Sequence, residues 1–297
     1  LFALVLAALG SVALVANQAQ PAGAKMAGAA KSFLDTLTPE QKQKATFGFD
    51  DPERQRWFFT PQQDKAKQFT RKGVRYEELD EKQKAAARDL LTAGLSKSGY
   101  TQANTIMGLE KLLAELEGEK GAMTRNQNWY FVTIFGEPSN TGPWGWRWEG
   151  HHLSINVTLD KGEVVSASPV VFGSNPAEIK DGPRKGERPI GDTEDHAKAL
   201  IAALDADQNK LARQAKQLPE IREGFADAKV GEPVGIPAAK LTDAQKASLW
   251  KIVEAYAGRL PEAVAAAELA RVKEAGADKI HFAYALEENK PGKPYTY

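Results

Sequence analysis

Four times this chain writes a leucine, then Thr or Asp, then Gln three residues after that polar residue. The instances are Leu37-Thr38 with Gln41, Leu79-Asp80 with Gln83, Leu204-Asp205 with Gln208 and Leu241-Thr242 with Gln245. A Thr or Asp side chain accepts hydrogen bonds from the free N–H groups of a helix start. A Gln at the third helical position reaches back to the cap's own N–H. The pattern fixes four helix starts, and Pro39 suits the first position of the first one. The spacings between the boxes are irregular, so they define no solenoid period.

The rest of the chain is laid out around these starts. Two short helices are expected over 25–46, then helices over 81–97 and 101–117. In the latter, Ile106, Leu109, Leu112, Leu113 and Leu116 fall on one face. Further helices are expected over 192–216, 242–257 and 261–275. Strands are expected over Trp129–Phe135, Arg147–Leu159 and Asp278–Leu286, with Glu163–Phe172 returning after an Asp160-Lys161-Gly162 turn. Arg56–Pro61 reads as a further short strand, Gly73–Tyr76 as an extended pass, and 217–240 as a Pro- and Gly-rich loop. This pattern predicts an α+β fold with a mostly antiparallel sheet flanked by helices. A sheet drawn from 129–135, 147–172 and 278–297 predicts a single domain over 25–297. Lys293–Tyr297 begins a new extended segment, so this domain is expected to be C-terminally incomplete.

Lys+Arg and Asp+Glu both number 39, so formal net charge is zero and there is no global basic field to recruit nucleic acid. The chain has no cysteine, which excludes disulfides, thiolate metal sites and a cysteine nucleophile. Leu1–Val15 is an almost unbroken apolar run. It falls short of the roughly 20 residues of a membrane span and fits the apolar core of a secretory signal. Residues 1–24 are therefore expected to be a signal peptide or N-terminal anchor. Ala22-Gly23-Ala24 is a cleavage motif, and Ala19 is a second candidate end. The expected location is periplasmic or extracellular, with membrane contact only through an uncleaved N-terminal segment.

The residues that carry chemistry concentrate in Pro143-Trp144-Gly145-Trp146-Arg147-Trp148-Glu149-Gly150-His151-His152. On one continuous strand, Arg147, Glu149 and His151 would share a face with Leu153, Ile155, Val157 and Leu159. His152 would point the other way unless Gly150 introduces a bulge. Imidazole and carboxylate are usual ligands of transition metals. One reading is thus a metal-dependent enzyme with His151 and His152 as ligands of zinc or copper. Glu149 would be a further ligand or a base, and Arg147 would hold an anionic substrate group. Against it stands a structural reading, in which Arg147 and Glu149 pair and His151 is a hydrogen-bonded core residue. Trp144 and Trp146 are either a stacking platform for a small-molecule or envelope ligand, the basis of a non-catalytic binding or envelope protein, or a packed aromatic core. The chain has no G-x-S-x-G, no H-E-x-x-H and no phosphate loop.

Several segments together resemble one known family. They are Trp57 with Phe59-Thr60-Pro61; Gly94-Leu95-Ser96 with Gly99-Tyr100; Ile106-Met107 with Leu109-Glu110; Ile134-Phe135-Gly136; the Trp-Gly-Trp-Arg and Glu-Gly-His-His runs; Asn175-Pro176-Ala177-Glu178; and Phe282-Ala283-Tyr284-Ala285. Over roughly residues 30–297 the chain resembles the family named domain of unknown function 3500. The resemblance carries no established activity. It implies a later strand and a His-x-His pair beyond Tyr297, which with His151 or His152 would suit zinc or copper. Near Pro294 such proteins often have histidine where this chain has Tyr295.

Overall fold

All four predicted caps start a helix, and all four close the full reciprocal box. The computed structural model describes residues 21–118, 121–218, 221–226, 231–286 and 296–297. The apolar run Leu1–Val15 lies outside them. The helices are α1 (Ala22–Thr36), α2 (Pro39–Ala45), α3 (Glu81–Gly94), α4 (Lys97–Glu117), α5 (Gly191–Ala203), α6 (Ala206–Ala212), α7 (Asp243–Ala257) and α8 (Glu262–Gly276). The strands are β1 (Thr46–Phe47), β2 (Val74–Arg75), β3 (Phe131–Phe135), β4 (Trp144–Gly150), β5 (Leu153–Asp160), β6 (Glu163–Ser166), β7 (Val170–Phe172), β8 (Ile236–Pro237) and β9 (His281–Phe282). The fold is α+β.

The main sheet has seven strands and is mixed, not mostly antiparallel. Its path is β1-β3-β4-β5-β6, with β2 also on β3 and β7 also on β5. β1 runs parallel to β3, and the other pairings are antiparallel. The C-terminal segment does not join it: β9 pairs with β8 in a separate two-stranded sheet. The single shared sheet expected from sequence is thereby replaced by two. Arg56–Pro61 is irregular rather than a strand, because its backbone bonds to side chains and turns.

The four caps come in two couples. Gln41 Nε2 donates to Gln83 Oε1 and to Glu78 O, while Gln83 Nε2 donates to Gln41 Oε1 and to Thr36 O. Gln208 Nε2 donates to Gln245 Oε1 and Lys240 O, and Gln245 Nε2 donates to Gln208 Oε1 and Ala203 O. The match extends outward. Gly73 (φ 103°) precedes β2 and Gly235 (φ 92°) precedes β8. Each is followed by one turn of 3-10 helix and then by α3 or α7. β2 is antiparallel to β3 as β8 is to β9, and the parallel β1–β3 pair is matched by a parallel bridge from Arg213 to Tyr284. Even the antiparallel Phe135–Gly145 pair has a counterpart in Ala285–Thr296. The same unit is written twice, once around each glutamine couple. Each repeat has its own core, and a small cluster of Leu260, Val264 and Ala265 packs against Ala22, Val164 and Val170 beside the first.

The first core is closed by three tryptophans. In the β4–β5 ladder Trp144 faces Leu159, Trp146 faces Val157 and Trp148 faces Ile155. Cross-strand partners share a face, so this apolar side packs onto α1 and α3 through Met26, Phe33, Leu90 and Leu91. Gly94 at the end of α3 is needed there, since a Cβ would come within 2.2 Å of the Trp146 ring. Ala22–Ala24, the expected cleavage motif, is the first turn of α1, and a Cβ on Gly23 would lie 1.9 Å from Gly162 O.

Each glutamine couple satisfies two helix starts and the last carbonyls of two preceding helical turns at once, so its members are energetically linked. Gln83→Ala is expected to destabilise the protein by about 1–2 kcal/mol. A Gln41/Gln83 double-mutant cycle in urea is expected to show coupling on the order of 1 kcal/mol, and additive losses would show that the couple does not act as a unit.

Candidate functional site

The sequence that looked like one strand from Arg147 to Leu159 turns back on itself at His151–His152. Gly150 pairs with Leu153, leaving the two histidines as the turn. His152 takes a left-handed backbone, φ 60°, which His tolerates better than most side chains. Its N–H donates to Phe59 O, and its own carbonyl accepts from Gly173 N–H. Beside it, Gly150 leaves room for the Tyr130 ring, which would lie 2.4 Å from a Cβ, and Tyr130 Oη donates to His151 O at 2.7 Å.

This turn reverses the face assignment expected from sequence. Across a two-residue hairpin, Arg147 lies opposite Asn156 and Glu149 opposite Ser154, while the leucine–isoleucine side of β5 belongs with the tryptophans. Arg147 and Glu149 are therefore on the far face of the sheet and fully buried under the segment 53–60. Arg147 donates to Glu53 O, Arg56 O and Glu53 Oε1. Glu149 accepts from Phe58 N–H at 2.9 Å and ion-pairs with Arg71 at 3.4 Å and Arg147 at 3.5 Å. Arg71 in turn donates to Phe58 O, Thr60 O and Gly150 O. Burial pushes the Glu149 carboxyl up against the pull of Arg147 and Arg71, and burial also lowers Arg71. The groups expected to be base and substrate clamp hold the chain over the sheet; the structural pairing of Arg147 with Glu149 is the reading that this geometry carries.

Trp144 and Trp146 are 0% and 1% exposed. Both pack into the first core against α3, which is the packed-aromatic reading of these residues. His196 lies on α5, and His281 is exposed in the second sheet, bonded to Lys279 O; neither joins the histidine pair.

His151 does meet a carboxylate, and it is not Glu149. Its Nδ1 bonds to Glu110 Oε1 on α4. Arg125 Nη1 lies 3.1 Å from the same nitrogen and bonds Glu117 through its other two nitrogens. Nδ1 serves one partner only, and the shorter contact assigns it as donor to Glu110. The opposite nitrogen, Nε2, makes no hydrogen bond among the described residues. His151 lines a small opening of about 20 Å³ shared with Arg71, Glu110, Gln62, Asn126 and Trp129, room for about one water. Glu110, Arg125 and Arg71 were not singled out from sequence as site residues. Glu110 had a signal: it interrupts the buried stripe Ala103, Ile106, Leu109 and Leu113 of α4 with a carboxylate.

The ring of His152 lies over that of His151, centroids 3.8 Å apart and planes tilted by 32°. Ring-nitrogen lone pairs lie in the ring planes, and planes so tilted do not let both rings reach one ion at about 2.0–2.1 Å. Among the described residues, no group of three His, Cys, Asp or Glu side chains is placed to hold a metal. Nε2 of His152 is buried and unpaired.

Fold and site define an α+β protein with a histidine–carboxylate pair at the tip of a buried hairpin. The sequence matches the family described as "Protein of unknown function (DUF3500)" over residues 19–297, and the chain belongs to that family. No curated protein matches it, and no solved structure does.

Burial, then the neighbouring His151 and Arg125, push His152 down to about 3. The unfolded chain protonates this side chain near the ordinary value of 6.5, while the folded chain leaves it neutral. The unfolded state binds the extra proton, so stability falls as pH drops from about 6.5 towards 3. The expected loss from this group is about 2 kcal/mol between roughly pH 7.5 and 5. Chemical denaturation across that range checks it: His152→Gln should remove that part of the slope.

Proposed function

We propose that this chain is an exported enzyme whose centre is the His151–Glu110 pair, working by acid–base hydrolysis. One observation carries this reading: a buried carboxylate bonds Nδ1 of the His151 imidazole, and His151 lines a water-sized opening. A carboxylate that accepts from Nδ1–H orients the ring, sets its tautomer and stabilises the imidazolium that forms when Nε2 takes a proton. A water beside Nε2 would be the proton donor and nucleophile. Arg125 and Arg71 supply positive charge on either side of the opening for an anion that develops or arrives there. Arg147 and Glu149 brace the hairpin from behind. The alternative of binding through a tryptophan surface has no exposed ring to support it.

A zinc or copper ion is the second reading. Its support is Nε2 of His152, which is buried, unpaired and held unprotonated by its surroundings, the state a ligand needs. It would require donors outside the described residues, and elemental analysis of the purified protein tests it.

The test of the main reading is a panel of chromogenic esters, phosphoesters, amides and glycosides. Relative to wild type, His151→Ala is expected to lose about 10²–10⁴-fold in kcat/KM and Glu110→Gln somewhat less, with unfolding midpoints changed little. A folded wild-type protein inactive on every class, or His151→Ala with full activity, would sink the proposal.

Export rests on the apolar run Leu1–Val15. Since Ala22–Ala24 is helical and Gly23 is packed against Gly162, processing is expected at Ala19 rather than Ala24. Mass spectrometry of the N-terminal peptide after secretion checks this, and an unprocessed cytoplasmic product would overturn it.

A further inference from the structure

The two repeats keep one backbone register but not the same side chains. Gly73 to Gln83 in the first matches Gly235 to Gln245 in the second with no insertion. Val74 pairs with Val132 as Ile236 pairs with Phe282. Tyr76 N–H donates to Tyr130 O at 2.7 Å, and Ala238 N–H donates to Ile280 O at 2.7 Å. In both repeats the Gln then occupies the third position of the helix that follows. Tyr76 therefore stands where the second repeat has Ala238, Lys84 where it has Lys246, and Arg88 where it has Trp250.

In the first repeat the Tyr76 ring is buried beside α3. It packs on Trp148 with centroids 5.5 Å apart, its Oη accepts from Arg88 Nη1, and Lys84 Nζ stands 5.8 Å from its centre. The second repeat has only a methyl group at that point. Leu249 in place of Ala87 adds bulk, yet a cavity of about 360 Å³ remains, lined by Ala238, Leu249, Trp250 and Ile280 together with Lys246, Lys273 and Asp278. That volume is within the range of small-molecule sites. A benzene ring needs on the order of 150 Å³, so a ring and a short substituent fit.

The charges of this lining do not balance. Lys246 Nζ pairs with Asp278 at 2.9 Å. Lys273 Nζ stands over the Trp250 ring, 5.0 Å from its centre. One positive charge of the lining is left over, at the exposed edge of an apolar cavity. We propose that this cavity binds a single-ring aromatic carboxylate, its ring beside Ala238 and Trp250 and its carboxylate paired with Lys273. The ligand would supply to the second repeat the ring that Tyr76 supplies to the first. The site is independent of the reading given to His151.

The test titrates 3-phenylpropionate and 3-phenylpropanol, the same ring and chain with and without the charge, into the protein by NMR. Wild type is expected to bind the carboxylate about threefold more tightly, the scale of an exposed ion pair. Lys273→Gln is expected to lose that preference and still bind the alcohol. Ala238→Tyr, which writes the residue of the first repeat into the second, is expected to weaken both probes by roughly tenfold or more, since the new ring occupies their place. No binding of 3-phenylpropionate, equal affinity for the two probes in wild type, a preference that survives in Lys273→Gln, or undiminished binding by Ala238→Tyr would overturn the proposal. Should Ala238→Tyr fail to fold, the wild-type protein decides through nuclear Overhauser effects between the ring protons of bound 3-phenylpropionate and the methyl group of Ala238. Their presence supports the site, and their absence overturns it.

Discussion

The carboxylate of Glu149 holds the first repeat together at its most demanding point. It lies in the sheet interior between Arg71 and Arg147, with Phe58 N–H as its hydrogen-bond donor. Burial alone would neutralise it, and two cations and a fixed donor oppose that. Through these contacts the irregular segment 53–60 is fastened across β4. That segment then offers Phe59 O to His152 N–H and so holds the hairpin tip where Glu110 can reach His151. Glu223 repeats the tactic from the other side, accepting from Phe59 N–H, Thr60 N–H and Thr60 Oγ1. The histidine turn therefore rests on buried, paired charge.

The repeat gives this arrangement a frame of reference. One local solution, two capped helices joined by a reciprocal glutamine pair and a short parallel–antiparallel strand set, is used twice. The correspondence between the two copies runs as far as the Phe135–Gly145 pair in one and the Ala285–Thr296 bridge in the other. In the first copy a long hairpin lays three tryptophans on α3 and carries two histidines at its tip. In the second, Leu249 and Ile252 of α7 pack with Phe282 and Tyr284.

Much of the frame was legible in the residues, since capping is local: a Thr or Asp and a Gln three positions on define their own hydrogen bonds before anything else folds. The aromatic and β-branched run Trp129–Phe135 also declared a strand, which the structure has as β3. Less was legible where sequence separation is large. Irregular spacing hid the repeat because the pairing of Gln41 with Gln83, and of Gln208 with Gln245, exists only in three dimensions. The turn at His151–His152 lacks the Gly or Asn that usually announces a two-residue hairpin, so a single long strand was the natural expectation, and one reversed turn moved every later residue to the other face. Glu110, Arg125 and Arg71 reach the site from three separate parts of the chain, and only Glu110 was marked, by its place in an apolar stripe.

By itself, then, the sequence determined the α+β class, the four helix starts, the strand β3, and the stretch in which the histidines sit, because each of these depends on residues within a few positions of one another. Tertiary structure decided the rest. It chose which carboxylate meets His151, made a buried brace of Arg147 and Glu149, and enclosed the tryptophans. Each of those outcomes depends on which surfaces are removed from water together, and no local spacing specifies that.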